Sequence, residues 1–186
     1  MKLQNEWLYW GKQNLIPKYP SHKINDKDFK LAPSKSMIIG FESNISEPPK
    51  MVVIMEPFSK QIYIYSYREN KAFITRILKD KRINKVFFSL PYAETFLYGS
   101  VTNGRDLQND IEEYYDDYCP NLASFVSKLY KQNFTFIKQQ HRYIEDNLDD
   151  WTQNHVLTGV IQVIALYEMM VEMRENNKSK KRRLNK

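Results

Sequence analysis

Three short apolar runs between residues 36 and 67 constrain the fold of this chain more than any other feature of its sequence. Ser36–Glu42, Met51–Met55 and Gln61–Tyr67 each have the length and hydrophobicity of a buried strand, and the third is rich in β-branched and aromatic residues. Short loops that contain proline lie between the runs and favour chain reversals. The three runs therefore predict an antiparallel meander.

The residues after position 70 indicate helices with one further strand among them. Apolar residues recur at helical spacing in most of these segments, and Asn121 is a residue type that caps a helix start directly before Leu122. Strands followed by a helical second half predict a mixed α/β fold. The predicted helices are Asn70–Asp80, Pro91–Tyr98, Leu107–Tyr118, Leu122–Tyr130 and about 152–175, and the predicted strand is Asn84–Ser89.

The first 35 residues differ in composition from the rest. Trp7, Leu8 and Trp10 lie in a short aromatic segment, and prolines interrupt regular structure after it. Two interpretations stay open: the segment is a partner-binding site, because tryptophans desolvate large areas at interfaces, or it packs on its own domain. We expect an N-terminal arm and linker at 1–35, one domain at 36–176 and a basic disordered tail at 177–186.

The net charge of +6 is concentrated at the end of the chain. Residues 177–186 hold six cations and no acid, and without them 22 basic residues stand against 22 acidic ones. A domain that follows a phosphate backbone usually carries an excess of cations, so composition gives nucleic-acid binding by the body no support. The terminal cluster is typical of a nuclear-targeting motif and also fits contact with nucleic acid. It consists of Lys178, Lys180, Lys181, Arg182 and Arg183.

Cysteine content and hydropathy indicate a reducing environment away from membranes. Cys119 is the single cysteine and cannot form a disulfide within the chain. No apolar run reaches the roughly 18 residues that a membrane-spanning helix needs. We therefore expect an intracellular protein, nuclear or nucleocytoplasmic if the basic cluster is a targeting motif, with no membrane partner.

Four local strings follow one another along the chain, at Ile38–Asn44, Lys81–Ser89, Asn121–Tyr130 and Trp151–Glu168. Together, and in this order, they resemble the RNase D branch of the DEDD exonuclease superfamily. The first resembles that family's opening strand, which ends in Asp-x-Glu, and each later string resembles the element that the family has next. The resemblance implies an RNase H-like α/β fold in which an antiparallel meander and then parallel strands form a mixed sheet flanked by helices.

The chemistry of that family is phosphodiester hydrolysis by two metal ions, held by four carboxylates beside a tyrosine or histidine that orients water. Aligned by the resemblance, this chain keeps only one carboxylate of the four, and Glu94 lies one position away from another. The corresponding positions are Glu42, Asn44, Ala93, Thr158 (the tyrosine position) and Gln162.

These differences lead to the hypothesis that the chain is not an enzyme and uses no metal or cofactor. Degenerate members of the superfamily act as scaffolds, dimerisation units or RNA-associated adaptors, which implies a protein-interaction role in a nuclear or RNA-related complex, small-RNA complexes among them. RNA contact, direct or indirect, and a homodimer are both compatible with this role. The alternatives are an RNA- or DNA-binding module that keeps the substrate groove, a residual nuclease that uses Glu42 and Glu94, and an unrelated α/β interaction domain.

Other reactive residue types receive structural interpretations. The acids of segment 110–117 are spread over several faces of a predicted helix, which indicates a solvated helix rather than a metal site. His22, His141 and His155 have no Cys or carboxylate at ligand spacing, so we expect surface histidines. Cys119 has no basic neighbour close in sequence and is not expected to be a reactive thiol.

Overall fold

The computed structural model describes residues 6–23, 35–41, 48–97, 99–134 and 148–184, and within them the chain forms one mixed sheet with helices on both faces. The strands are β1 (Ser21–Lys23), β2 (Ser36–Phe41), β3 (Met51–Glu56), β4 (Gln61–Ser66), β5 (Asn84–Phe87) and β6 (Gly104–Asp106). The helices are α1 (Glu6–Asn14), α2 (Tyr67–Lys79), α3 (Leu90–Leu97), α4 (Gln108–Tyr115), α5 (Leu122–Tyr130) and α6 (Leu148–Leu184), and a short 3-10 helix covers Ile16–Lys18.

The order of strands across the six-stranded sheet is β1-β4-β3-β2-β5-β6. Strand β3 is antiparallel to both β2 and β4, whereas the pairs β1–β4, β2–β5 and β5–β6 are parallel. The predicted antiparallel meander followed by parallel strands is therefore confirmed.

The central strand β3 is buried along its whole length, which explains its uninterrupted apolar sequence. Successive side chains of a strand point to opposite faces, so its residues divide between two cores. Val53 and Met55 pack on the face that α1, α5 and α6 cover, and Val52 and Ile54 pack on the face that α2 and α3 cover. The sheet is thus the middle layer of a three-layer domain.

Helix α6 crosses β2 and β3 at very close range. A Cβ atom added to Gly40 would lie 2.6 Å from the carbonyl oxygen of Gly159, and one added to Gly159 would lie 2.6 Å from Cγ2 of Val53. Only residues without a side chain permit this approach. The contact brings the next turn of α6 against the end of β2.

Helix α6 is unusually long and apolar. By length and composition, His155–Leu184 meets the criterion for a helix that could cross a membrane, and 56% of its most apolar window is buried within the protein. The central helix of a folded domain meets the same criterion, and here the burial results from packing on the sheet. The sequence-based prediction that no apolar run is long enough to span a membrane counted uninterrupted runs, and so it missed this 18-residue window.

The described part of 1–35 differs from the expected arm and linker. Leu8 on α1 is buried in the same core as α6, and β1 pairs in parallel with β4, with Ser21 opposite Ile62. The physical reason is amphipathicity, because α1 has an apolar side that only the domain can cover. Residues 24–34 lie outside the described residues.

The expected disordered tail at 177–186 also differs from the structure, in which α6 continues to Leu184. Lysine and arginine are good helix formers, and cations are favoured near a helix C-terminus. The side chains of 177–184 are exposed, so the helix carries its charges in solvent.

Candidate functional site at the carboxyl edge of the sheet

Five of the six strands run in one direction, so their carboxyl ends share one edge of the sheet. Open α/β sheets bind ligands at this edge. The edge includes Phe41 at the end of β2, Ser66 at the end of β4 and Asp106 at the end of β6. The positions that the family resemblance singled out begin directly after Phe41.

Gln162 lies against this edge but its amide oxygen is already used. The backbone N–H of Phe41 donates to Oε1 of Gln162 at 2.7 Å, and the residue is 7% exposed. Thr158, one helical turn earlier, is also buried. The hydrogen bond of Gln162 joins α6 to the end of β2.

The position corresponding to the helix carboxylate is filled by Ala93, which is fully buried in the core formed with α2. The next residue, Glu94, accepts a hydrogen bond from the backbone N–H of Val101 at 3.1 Å and so ties α3 to the loop before β6. Asp106 has a similar structural role, because its carboxylate accepts from the N–H groups of Leu90 and Gln108 at 3.3 and 2.9 Å.

The predicted positions Glu42 and Asn44 lie outside the described residues. At the three mapped positions that are described, alanine, threonine and a hydrogen-bonded amide replace carboxylate or phenol, and these groups do not fit a pair of divalent cations. Across the described ranges no group of three or more His, Cys, Asp or Glu side chains converges.

A pocket of about 560 Å³ lies at the same edge, where the start of β3 meets the end of β4. Antiparallel pairing sets Met51 at the start of β3 opposite Ser66 at the end of β4, which brings residues 48–51 against the start of α2. Three cations line the pocket, with prolines and one aromatic residue beside them. They are Lys50, Arg68 and Lys71, and the other lining residues include Pro48, Pro49 and Tyr67.

The first turn of α2 sets the direction of these cations. Asn70 leaves the helical conformation (φ −116°, ψ 19°), and its side-chain amide donates to the carbonyl of Ser66 at 2.9 Å. Arg68 and Lys71 are three residues apart across this kink and are exposed. Neither forms an ion pair with a described residue, so their charge faces the pocket and solvent.

Comparison with solved structures identifies the fold. RNase D from Trypanosoma brucei superposes with a TM-score of 0.54 at 12% identity, over 82% of this chain and 64% of that one. The EXD2 exonuclease domain matches at 14% identity over 86% of this chain and 94% of that one, with a TM-score of 0.40. This chain has an RNase D-like exonuclease fold. It spans just under two thirds of the length of the Trypanosoma RNase D chain.

Sequence comparison does not extend the RNase D-like assignment. No family model and no curated protein matches this chain. The family resemblance read from four short strings is confirmed at the level of the fold, which persists at an identity where sequence matching fails.

The prediction that the chain is not an enzyme is contradicted by this likeness. A solved structure that shares its fold, from Trypanosoma brucei, is an RNase D, and residue types at three mapped positions do not by themselves show a loss of catalysis. The prediction rested on residue types at mapped positions, two of which, Glu42 and Asn44, lie outside the described residues. Residue types at the mapped positions were an insufficient basis for the conclusion that the chain is not an enzyme.

The aromatic segment of α1 packs on the RNase D-like domain. Trp7 and Trp10 are half-buried against the core, and the ring of Trp10 lies 4.9 Å from that of Tyr130 and 5.9 Å from that of Phe134. These contacts agree with the interpretation that the aromatic segment packs on its own domain. Binding of a partner through Trp7, Leu8 and Trp10 stays a prediction.

The remaining candidates have structural partners. In the acidic segment, Asp110 pairs with Arg105 at 2.6 Å and Asp117 with Lys128 at 2.5 Å. Cys119 is buried, and burial raises the pKa of its thiol, which agrees with an unreactive side chain.

The three histidines have different outcomes. His155 is buried, contrary to the expectation of a surface residue, because it lies where α6 crosses the sheet. His141 and the side chain of His22 lie outside what the structure describes.

Sequence reasoning missed the three cations of the pocket. Lys50 stands before one strand, and Arg68 and Lys71 follow another, so no local motif connects them. The signal that was present is the hairpin register: when β3 and β4 pair as antiparallel neighbours, the start of the first meets the end of the second.

Proposed function

We propose that this chain binds single-stranded nucleic acid at the carboxyl edge of its RNase D-like sheet. The observation that carries the proposal is the pocket between the start of β3 and the start of α2 with its three cations, Lys50, Arg68 and Lys71. Cations bind phosphate groups, and phosphate contacts supply most of the affinity of sequence-independent nucleic-acid binding. The proposal therefore adopts the groove-binding alternative.

The charge balance of the body does not oppose this proposal. A domain without net charge has a basic site where cations cluster and where the nearby acids form hydrogen bonds with other groups. Near this edge, Glu94 and Asp106 are held by backbone N–H groups, and exposed Glu69 is the acid adjacent in sequence to Arg68. The lining of the pocket holds three cations and no acid among the residues that the structure describes.

The test is binding of a fluorescein-labelled 12-nucleotide oligo(U) to the full chain, followed by fluorescence anisotropy over a series of salt concentrations. We expect Arg68→Ala/Lys71→Ala to weaken binding about tenfold and to reduce the slope of log K against log salt by about 1.4, since each phosphate contact on a single strand contributes about 0.7. Release of labelled nucleotides is measured in the same samples, with and without Mg²⁺.

The matched control is Lys79→Ala/Lys81→Ala, which removes the same charge from exposed residues at and just beyond the other end of α2. It should stay within about twofold of the wild type. Equal losses in the two double variants, or no binding by the wild type, would overturn the proposal.

The expectation of a protein partner is kept as a prediction with its own test. The full chain is used to capture partners from its native extract, with and without nuclease treatment. Partners that survive the treatment support a scaffold role, and partners that are lost with the nucleic acid support the proposed groove.

Nuclear localisation is likewise proposed from the basic cluster. Its described members are exposed on the last turns of α6 and are accessible to an import receptor. A fluorescent fusion of the full chain should concentrate in the nucleus and become uniform after alanine replacement of Lys180, Lys181, Arg182 and Arg183. An unchanged distribution would refute the targeting role.

A further inference from the structure

A second basic surface lies along the C-terminal part of α6. A groove of about 370 Å³ forms between the C-terminal part of α6 and β6. Its walls combine cations with two thioether side chains that are half-buried against the core. The lining residues include Arg105, Met170, Met173, Arg174, Lys178 and Lys181.

The helix places three of the cations in a row. Arg174, Lys178 and Lys181 are spaced i, i+4 and i+7 and therefore share one face. At 1.5 Å per residue the row is about 10 Å long. Arg105 approaches it from β6, so the groove has positive charge on both sides.

Two of the four cations are paired and two are not. Arg105 contacts Asp110 at 2.6 Å, and Lys178 contacts Glu175 at 3.2 Å. Arg174 and Lys181 are exposed and form no ion pair with a residue that the structure describes. The groove therefore keeps a net positive charge.

We propose that this groove binds the phosphate backbone of a nucleic-acid strand outside the carboxyl-edge site. A row of cations on one helix face can contact successive phosphates of one strand, and each such contact adds salt-dependent affinity. The two methionines offer a polarisable apolar surface for sugars and bases. The charge of the chain supports the assignment, because six of its 28 cations lie in the last ten residues, which begin along this groove.

This inference rests on nucleic acid being the ligand of the chain but concerns a different surface. No residue that lines the pocket at α2 also lines this groove. A strand long enough to reach both surfaces would be held at two places, which raises affinity through effective concentration.

The test uses the full chain and the same oligo(U) probe. Arg174→Ala/Lys181→Ala should weaken binding about tenfold and lower the salt slope by about 1.4. The matched control is Lys12→Ala/Lys18→Ala, two exposed lysines of the N-terminal segment, which should change affinity less than twofold. Both variants should keep the far-ultraviolet circular dichroism and the thermal midpoint of the wild type, because all four side chains are exposed.

The outcomes separate the two proposals. If only the Arg68/Lys71 variant loses binding, this inference is wrong and the proposed function stands. If only the Arg174/Lys181 variant loses binding, the groove is supported and the pocket at α2 is refuted. A labelled 12-residue polyglutamate that binds as tightly as oligo(U), and is weakened equally by Arg174→Ala/Lys181→Ala, would overturn the nucleic-acid assignment in favour of an acidic protein.

Discussion

Gln162 and Phe41 are joined by a 2.7 Å hydrogen bond in which the backbone N–H of Phe41 donates to Oε1 of Gln162. The bond connects the central helix to the carboxyl end of the strand after which the family's first carboxylates would follow. A side chain at a mapped catalytic position is thus part of the packing between helix and sheet.

Gln162→Leu should lower the free energy of unfolding by about 1–3 kcal/mol, because it removes the side-chain acceptor of the partly buried N–H of Phe41. Urea unfolding followed by circular dichroism measures the loss. Gln13→Leu, the same chemical change at an exposed position of α1, serves as the control and should cost less than about 0.5 kcal/mol. Equal effects of the two changes would show that the hydrogen bond contributes nothing.

Gly40→Ala should destabilise the domain by about 1–3 kcal/mol or more, since the new methyl group would meet the backbone oxygen of Gly159. Gly104→Ala is the comparison, because the nearest atoms there belong to the side chains of Leu90 and Val101, which can move. The midpoint of thermal unfolding should therefore be well below that of Gly104→Ala for the Gly40→Ala variant. The reverse order would contradict the close helix–sheet contact.

Ala93→Asp should cost about 3 kcal/mol or more, because the carboxylate would be buried among apolar side chains without a partner. Burial raises the pKa of such a group in the folded state above the unfolded value of about 3.9. The free energy of unfolding of the variant should therefore be reduced least below about pH 3.9, and it should fall as the pH rises above that value. Unfolding at pH 3.5 and pH 7 tests this, with exposed Ala72→Asp on α2 as the control.

Tyr130→Phe should lower stability by about 1.5–3 kcal/mol, because the phenol donates to the carboxylate of Glu168 at 2.6 Å. Burial, followed by that hydrogen bond, raises the pKa of Tyr130 above its ordinary value of 10.0. Below pH 10 the phenol is protonated in both states and its stabilisation is complete. Above pH 10 the unfolded state loses the proton first, so the stabilisation declines.

Unfolding between pH 7 and pH 11 measures this effect. The difference between the wild type and Tyr130→Phe should narrow above pH 10, whereas Tyr9→Phe, at an exposed tyrosine, should show no such change. A constant difference across the range would contradict the coupling. Tyr19, which also donates to Glu168 at 2.9 Å, is a second phenol on the same carboxylate.

The elements of the fold could be predicted where local signals agree. Asn121 was identified as a helix cap from its residue type, and its side chain accepts from the N–H of Ser124 at 2.8 Å in a complete capping box. The strands β2, β3 and β4 were recognised because buried strands of this length are continuous apolar runs. Strands β1 and β6 were missed, since each has only three residues and depends on a neighbouring strand.

The candidate site was less accessible to sequence reasoning. Resemblance to a family supplied positions such as Ala93 and Gln162 but not what those side chains contact. The cations of the pocket and of the groove come from segments far apart in sequence, for example Arg105 and Lys181, and no local pattern joins them. Their proximity follows from strand order and from the path of α6.

The sequence by itself determined the meander, the helical second half and the excess of charge at the end of the chain, because these depend on residues that are neighbours along it. Only the tertiary structure decided that α1 belongs to the core, that α6 lies against Gly40 and that Gln162 binds the backbone of Phe41. These are contacts between residues more than a hundred positions apart, and packing of the whole domain selects them.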